Sequence, residues 1–87
     1  MCSKDVVVQN QVGLHSRPAT YFIQKANLFR CSIWVEKDER RVNAKSLLGV
    51  LSLGIVGGST ITISADGADE KNAVDTLVRL VDSGFAD

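Results

Sequence analysis

The segment Thr60-Ile61-Thr62-Ile63-Ser64-Ala65 constrains the fold most, because its apolar and polar side chains alternate without a break. Strict alternation is typical of a β-strand that has one face buried and the other exposed to water. A helix would instead place apolar residues three or four positions apart. The segment therefore predicts a strand in a sheet that is covered on one face.

Three other segments are predicted to form strands. Each is β-branched or alternates apolar with polar side chains, as strands do. These segments are Val6-Val7-Val8, the stretch around Ile33 and Val35, and Arg41 to Ala44. The polar turn Lys37-Asp38-Glu39-Arg40 separates the second of them from the third.

Three segments have the periodicity of helices. The first places on one face Ala19, Phe22, Ile23 and Ala26. The second is short, from Ser46 to about Leu53, and ends at Gly54. The third is capped by Asp69 and places on one face Ala73, Val74, Leu77, Val78 and Val81.

The resulting order is β-α-β-β-α-β-α, in one α+β domain that spans residues 1–87. The first two strands are joined by a helix, so we expect them to run parallel through a right-handed crossover. The fourth strand then fits between them in the antiparallel direction. Each helix has one apolar stripe, which predicts that the helices share one face of the sheet.

Composition excludes several classes of protein. Ten basic and ten acidic side chains cancel, so charge gives no argument for binding nucleic acid or an anionic membrane. The longest apolar stretch, residues 47–56, is too short and too interrupted to cross a bilayer. No basic segment followed by an apolar run opens the sequence, which favours a cytoplasmic protein.

The two cysteines have no paired spacing. Cys2 is expected in a terminal tail and Cys31 at the start of a strand. Both are predicted to be free thiols in a reducing compartment, and we expect neither a metal site nor a cofactor.

The only histidine, His15, lies where the first helix is predicted to begin. Ser16 can cap this helix, and Pro18 is tolerated in its first turn. Free backbone N–H groups at a helix start attract anions, and the guanidinium of Arg17 suits phosphate oxygens. The pattern predicts a histidine that accepts a phosphoryl group beside an anion cradle formed at Ser16 and Pro18. The alternative is that His15 is a surface or capping residue and Arg17 a solvated charge.

The second informative segment begins at Ser46, which can simply cap the short helix. That helix is too apolar to bury all its side chains, so some of Leu47, Leu48 and Leu51 are expected to face solvent as a partner site. The alternative is that the sheet buries most of them. A phosphate on Ser46 would add negative charge beside these leucines and repel an acidic partner.

Three stretches together match one known family. They are Gly-Leu-His-Ser-Arg-Pro-Ala-Thr at 13–20, Asn-Ala-Lys-Ser-Leu-Leu-Gly-Val-Leu-Ser-Leu-Gly at 43–54, and Thr-Ile-Thr-Ile-Ser-Ala-Asp-Gly-Ala-Asp-Glu at 60–70. With these residues the chain resembles the histidine-containing phosphocarrier family, HPr, of the sugar phosphotransferase system. The resemblance implies an open-faced β-sandwich, with four antiparallel strands in the order 1-4-2-3 and three helices on one face.

The resemblance also implies roles for residues. His15 would take a phosphoryl group on Nδ1 from phosphorylated enzyme I and pass it to enzyme IIA domains, so the protein would be a carrier and not an enzyme. Arg17 matches the residue that stabilises the phosphate. The positions that match the partner-docking surface are Thr20, Leu47, Leu48 and Leu51. Ser46 matches the serine that HPr kinase/phosphorylase modifies to give a corepressor for a catabolite-control regulator.

Two other roles stay open. The chain could act mainly as a regulatory binding module through phosphorylated Ser46, or as a nitrogen-branch phosphocarrier, which the ending Ser83-Gly84-Phe85 resembles. A small carrier is expected to be a monomer. The side chains expected to steer partners by positive charge are Lys25, Arg30, Arg40, Arg41 and Lys45.

Overall fold

The computed structural model of the chain describes residues 1–9 and 16–85. Its elements are β1 (Cys2–Val7), α1 (Ser16–Ala26), β2 (Ser32–Lys37), β3 (Arg40–Asn43), α2 (Leu47–Ser52), β4 (Thr60–Asp66) and α3 (Glu70–Asp82). All neighbouring strands are antiparallel, and the sheet order is β1-β4-β2-β3. Since β1 and β2 both flank β4, they run parallel to each other. The predicted element order and sheet order are confirmed.

The core lies between the sheet and the helices. In β4, Ile61, Ile63 and Ala65 are fully buried, while the residues between them are partly exposed, as the alternation predicts. α3 lies against β1 and β4, and α1 contacts α2 and α3. On α3 the buried residues are Ala73, Val74, Leu77, Leu80 and Val81. Val78, predicted for this face, is only partly buried, and Leu80 takes part in its place.

The other face of the sheet carries polar side chains. The hydroxyl of Thr62 donates a 2.6 Å hydrogen bond to a carboxylate oxygen of Asp5 on the neighbouring strand. Further along this face the guanidinium of Arg41 lies 4.1 Å from the ring centroid of Trp34. Such pairs make an open face compatible with water, which is why no helix needs to cover it.

The first strand begins earlier than predicted. Cys2 pairs with Ala65 in the β1–β4 ladder, so its assignment to a terminal tail was wrong. The early start of β1 was not predicted because the sequence of this edge strand is polar. Lys4 lies in the strand, and its Nζ donates to Asp75 on α3 at 2.9 Å. Charged residues are common on edge strands, where they prevent pairing with other chains.

Several strand boundaries differ by one residue, and β1 ends at Val7 although Val8 was predicted to belong to it. β2 begins at Ser32, so Cys31 precedes the strand and does not start it. β3 begins at Arg40 and ends at Asn43, so both its ends lie one residue before the predicted Arg41 and Ala44. The turn between them is confirmed, and its central residues Asp38 and Glu39 both have positive φ, 52° and 67°. Positive φ at both central positions is what a two-residue hairpin turn with right-handed strand twist requires.

The prediction that the Asp69 side chain caps the last helix is wrong. Asp69 occupies the N-cap position of α3, but its side chain makes no hydrogen bond to that helix. Its carboxylate oxygens instead accept the backbone N–H groups of Arg30 and Cys31, each at 3.0 Å. These bonds join the start of α3 to the segment that leads into β2.

The longest helix of the described residues is α3, with 13 residues. Within 1–9 and 16–85, no helix has the length and apolar content that a membrane span requires.

Candidate phosphorylation and docking surface

The predicted phosphoryl acceptor, His15, lies outside the described residues, as do the other residues of the segment 10–15. The next residues along the chain are described. Ser16 is the first residue of α1, and Pro18 lies in its first turn, as predicted. Pro18 fits there because the first turn of a helix has no intrahelical partner for a backbone N–H. The side chain of Ser16 is also outside the described part, so its capping role stays a prediction.

Arg17 lies on the exposed side of the first turn of α1. The opposite side of the helix is held in the core by Ala19, Phe22 and Ala26, all fully buried. Arg17 and Thr20 are both exposed. The guanidinium of Arg17, which carries five N–H donors, forms no ion pair with the residues that the structure describes.

Ser46 caps α2, as predicted. Its backbone is extended, with φ −110° and ψ 117°, and its hydroxyl oxygen accepts the backbone N–H of Gly49 at 3.2 Å. A Cβ at Gly49 would lie only 3.3 Å from this oxygen, so a side chain at that position would crowd the cap. Ser46 is partly exposed. The hydroxyl therefore supports the helix from a position at the surface.

The leucines of α2 divide as the short helix requires. Val50 is fully buried and anchors the helix, and Leu51 is partly buried. Leu47 is 39% exposed and Leu48 is 82% exposed. The prediction that some leucines face solvent is confirmed. We call Thr20, Leu47, Leu48 and Leu51 the α1–α2 surface, because α1 and α2 are in contact.

Arg40 supports the end of α2. Its Nη1 donates to the backbone oxygen of Ser52 at 3.0 Å, and the Ser52 hydroxyl donates to the Gly49 oxygen at 2.6 Å. Leu53 follows as the C-cap, and Gly54 has a φ of 60°, which ends the helix in the left-handed conformation expected of glycine.

The five cations expected to steer partners have different positions and partners. Arg40 is engaged with Ser52 and Arg41 with Trp34 on the open face. The ammonium of Lys45 donates to the backbone oxygens of Phe29 and Cys31. Lys25 lies 5.9 Å from the ring centroid of Tyr21. Four of the five cations thus have partners among the described residues, and the sequence alone did not show these partners.

Both cysteines are free thiols, as predicted. Burial, followed by a hydrogen bond with Asp69, raises the pKa of the Cys31 thiol to about 11. The same neighbourhood lowers the pKa of Asp69, first through the N–H of Arg30 and then through Cys31. Cys31 is therefore a neutral, structural thiol at neutral pH. In the part of the chain described here, no three side chains of the metal-binding types come together.

The chain matches known proteins over nearly all of its length. The family described as "PTS HPr component phosphorylation site" matches residues 2–83. HPr-like protein Crh of Halalkalibacterium halodurans is 45% identical over 82 residues, which cover 94% of this chain and 98% of that protein. Phosphocarrier protein HPr of Neisseria meningitidis is 36% identical over 87 residues, covering 100% of this chain and 98% of that protein.

Solved structures agree with the fold. HPr-C-His from Thermoanaerobacter tengcongensis has a TM-score of 0.96 and 45% identity, covering 100% of this chain and 98% of the other. Crh of Bacillus subtilis, solved as a dimer with a swapped domain, has a TM-score of 0.79 and 38% identity, with 100% of both chains covered. Because a similar chain forms a dimer, the expected monomer stays a prediction.

Proposed function

The chain belongs to the HPr family of the phosphotransferase system, and we propose that His15 accepts a phosphoryl group from phosphorylated enzyme I and passes it to an enzyme IIA domain. Proteins of this family are carriers and not enzymes. The transfer would use a neutral imidazole nitrogen as nucleophile, and the bond between phosphorus and the donor breaks as the phosphorus–nitrogen bond forms. We place the carrier in the cytoplasm, where both partners can reach it.

The exposed guanidinium of Arg17, two residues beyond His15, is the observation that carries the proposal. Phosphoryl transfer places charge on three equatorial oxygens, so catalysis depends on positioning and on charge stabilisation. A planar fork of N–H donors suits those oxygens. Since the buried side of α1 holds the helix rigidly against the core, Arg17 is presented from a fixed scaffold.

We assign the docking of partners to the α1–α2 surface. Leu48 is almost fully exposed although it is apolar, and the buried Val50 prevents the helix from rotating to hide it. Exposed apolar side chains that are contiguous usually mark a protein contact. The surface lies on the same two helices that carry Arg17 and Ser46, so a docked partner would lie close to both.

The test is phosphorylation with enzyme I and phosphoenolpyruvate. The wild-type chain is expected to gain one acid-labile phosphate, because phosphorus–nitrogen bonds hydrolyse in acid. His15→Ala should gain none, and Ser46→Ala should be labelled as the wild type is. Equal labelling of His15→Ala and the wild type contradicts the proposal.

A second function is favoured by the similarity to Crh, whose name in one structure links it to catabolite repression. We propose that Ser46 is also a regulatory phosphorylation site. The hydroxyl is partly exposed and lies at the start of α2, where the helix dipole favours negative charge, and both features support this role. HPr kinase/phosphorylase with ATP is expected to form an acid-stable phosphate that is lost in Ser46→Ala, and that form should bind a catabolite-control regulator. Failure of either step contradicts it.

The residues that first pointed to the nitrogen-branch alternative have a structural role, and that alternative stays a prediction. Ser83 is the C-cap of α3, and the N–H of Phe85 donates to the oxygen of Leu80 at 2.9 Å. Gly84 has a φ of 69° and allows this return of the chain, after which Phe85 packs against the core. The segment thus has a structural role in ending α3.

A further inference from the structure

A cavity of about 170 Å³ lies beside the first half of β2 and the end of β3, and neither Arg17 nor a leucine of α2 is among the described residues that line it. Five polar or aromatic residues in its wall can face a ligand: Arg30, Ser32, Trp34, Asn43 and Lys45. The two strands are tied together here, since Trp34 and Asn43 are register partners and the Ala44 N–H donates to the Ile33 oxygen at 2.9 Å. The wall is therefore built on two strands that are hydrogen-bonded to each other.

Lys45 is held in place at this cavity. Its Nζ lies 2.7 Å from the backbone oxygen of Phe29 and 2.9 Å from that of Cys31. These bonds use two of the three N–H donors of the ammonium group and leave the third. A lysine fixed in this way loses less conformational entropy on binding an anion than a free one would.

Other donors in the wall have no acceptor among the described residues. The side-chain oxygen of Asn43 accepts the backbone N–H of Lys45 at 2.9 Å. The two N–H donors of the Asn43 amide nitrogen are left to bind a ligand. The hydroxyl of Ser32 and the guanidinium of Arg30 make no hydrogen bond with the described part of the chain. The cavity thus offers several donors and two positive charges.

No acidic residue is among the described residues that line the cavity. Two carboxylates lie beside the wall, and both already have partners. Asp69 accepts the backbone N–H groups of Arg30 and Cys31. Asp66, the register partner of Ser32, pairs with the N-terminal ammonium at 3.7 Å. The charge of the cavity wall is therefore not compensated by a carboxylate within it.

We propose that this cavity binds a phosphate group, either as inorganic phosphate or as the phosphate of a small ester such as a sugar phosphate. A phosphate has several oxygens to receive the donors of Arg30, Lys45 and Asn43, and guanidinium groups pair with it in a bidentate way. The volume is below the roughly 300 Å³ at which pockets for drug-sized ligands begin, so the ligand must be small.

Binding can be measured by the fluorescence of Trp34, because it is the only tryptophan of the chain and it lines the cavity. The full chain is titrated with inorganic phosphate and, separately, with glucose 6-phosphate, against chloride at matched ionic strength. A saturable change in fluorescence is expected. Tighter binding of the ester assigns the site to phosphate monoesters, and equal binding assigns it to free phosphate. No saturable change with either probe overturns the proposal.

Three variants test whether the phosphate probes bind in this cavity. Arg30→Gln keeps the backbone N–H that Asp69 accepts, so the fold is retained, and we expect about tenfold weaker binding from loss of a charged hydrogen bond. Arg79→Gln, an exposed arginine on α3, should bind as the wild type does. Arg17→Gln shows whether the probe binds in this cavity or near the start of α1, because only binding near the start of α1 would depend on Arg17. If Arg17→Gln abolishes the signal and Arg30→Gln does not, the ligand is bound elsewhere and the proposal is wrong.

Discussion

The hydroxyl oxygen of Ser46 accepts the backbone N–H of Gly49 at a distance of 3.2 Å. This bond satisfies one of the backbone donors that a helix leaves unpaired at its start. It gives Ser46 two roles, as the cap of α2 and as the residue proposed for regulation. A modification there acts on the helix that carries Leu47 and Leu48.

Ser46→Ala should lower the free energy of unfolding by about 1 kcal/mol, because alanine cannot cap the helix. Urea denaturation at neutral pH measures the difference. Ser46→Asp is the matched control, since aspartate caps helices as well as serine does, and it should remain close to the wild type. Equal stability of Ser46→Ala and the wild type would show that the bond contributes nothing.

Leu48→Glu should slow phosphoryl transfer from enzyme I by about tenfold, since a charge replaces an apolar contact residue that is 82% exposed. The melting temperature should not change, because the side chain contributes little to the core. Leu28→Glu is the control: Leu28 is 74% exposed but lies in the turn after α1. Rates measured by rapid quench should be normal for Leu28→Glu. Equal slowing of both variants would remove the α1–α2 surface from the docking.

Arg17→Ala should reduce the rate of transfer by a factor of about 100, the size of effect found when one charge-stabilising donor is removed. Arg17→Lys keeps the positive charge but loses the bidentate fork, so its rate should lie between those of Arg17→Ala and the wild type. Single-turnover transfer from enzyme I gives the three rates. An unchanged rate in Arg17→Ala contradicts the role proposed for the guanidinium.

Asp69 should make stability depend on pH in the acid range. Because the N–H of Arg30 and then Cys31 lower the pKa of Asp69 in the folded state, its contribution is present above the unfolded pKa of about 3.9 and is lost as the pH falls through the folded pKa. Asp69→Asn should be less stable at pH 7 and should lose less on acidification below about pH 4. Urea midpoints of both proteins across this range test it, and parallel curves would contradict it.

Gly67→Ala should be strongly destabilising. Gly67 has a φ of 148°, and an added Cβ would lie 2.7 Å from Cβ and 2.9 Å from Cα of Cys31. We expect a loss of more than about 2 kcal/mol from strain and displaced backbone. Gly58→Ala is the control, because φ is also positive, 88°, but no atom lies within 4 Å of the added group. Similar losses in the two variants would show that backbone conformation alone sets the cost.

The sequence predicts the fold well where side chains alternate and fails where polar residues serve tertiary contacts. Ile61, Ile63 and Ala65 face the core, as their spacing indicates. The early start of β1 was missed because the polar side chain of Lys4 finds its partner on α3, far away in sequence. Asp69 has the position of a cap, and only the folded structure brings it to the N–H groups of Arg30 and Cys31.

Part of the candidate site could also be predicted from the sequence, where local rules of helix structure decide the outcome. The cap at Ser46 and the exposure of Leu48 follow from local rules of helix structure. The positions of the cations do not, because Arg40 and Lys45 bind backbone oxygens of other segments. The role of His15 stays a prediction from its neighbours and from the family.

α2 has six residues and is held at both ends, by Ser46 at its start and by Arg40 at its end. An isolated helix of this length does not persist in water. Held in this way, it presents Leu47 and Leu48 in a shape that exists before any encounter. A partner protein that binds here does not have to order this helix, so no conformational entropy of the helix is lost on binding. The rate of association can then approach the limit set by diffusion and orientation.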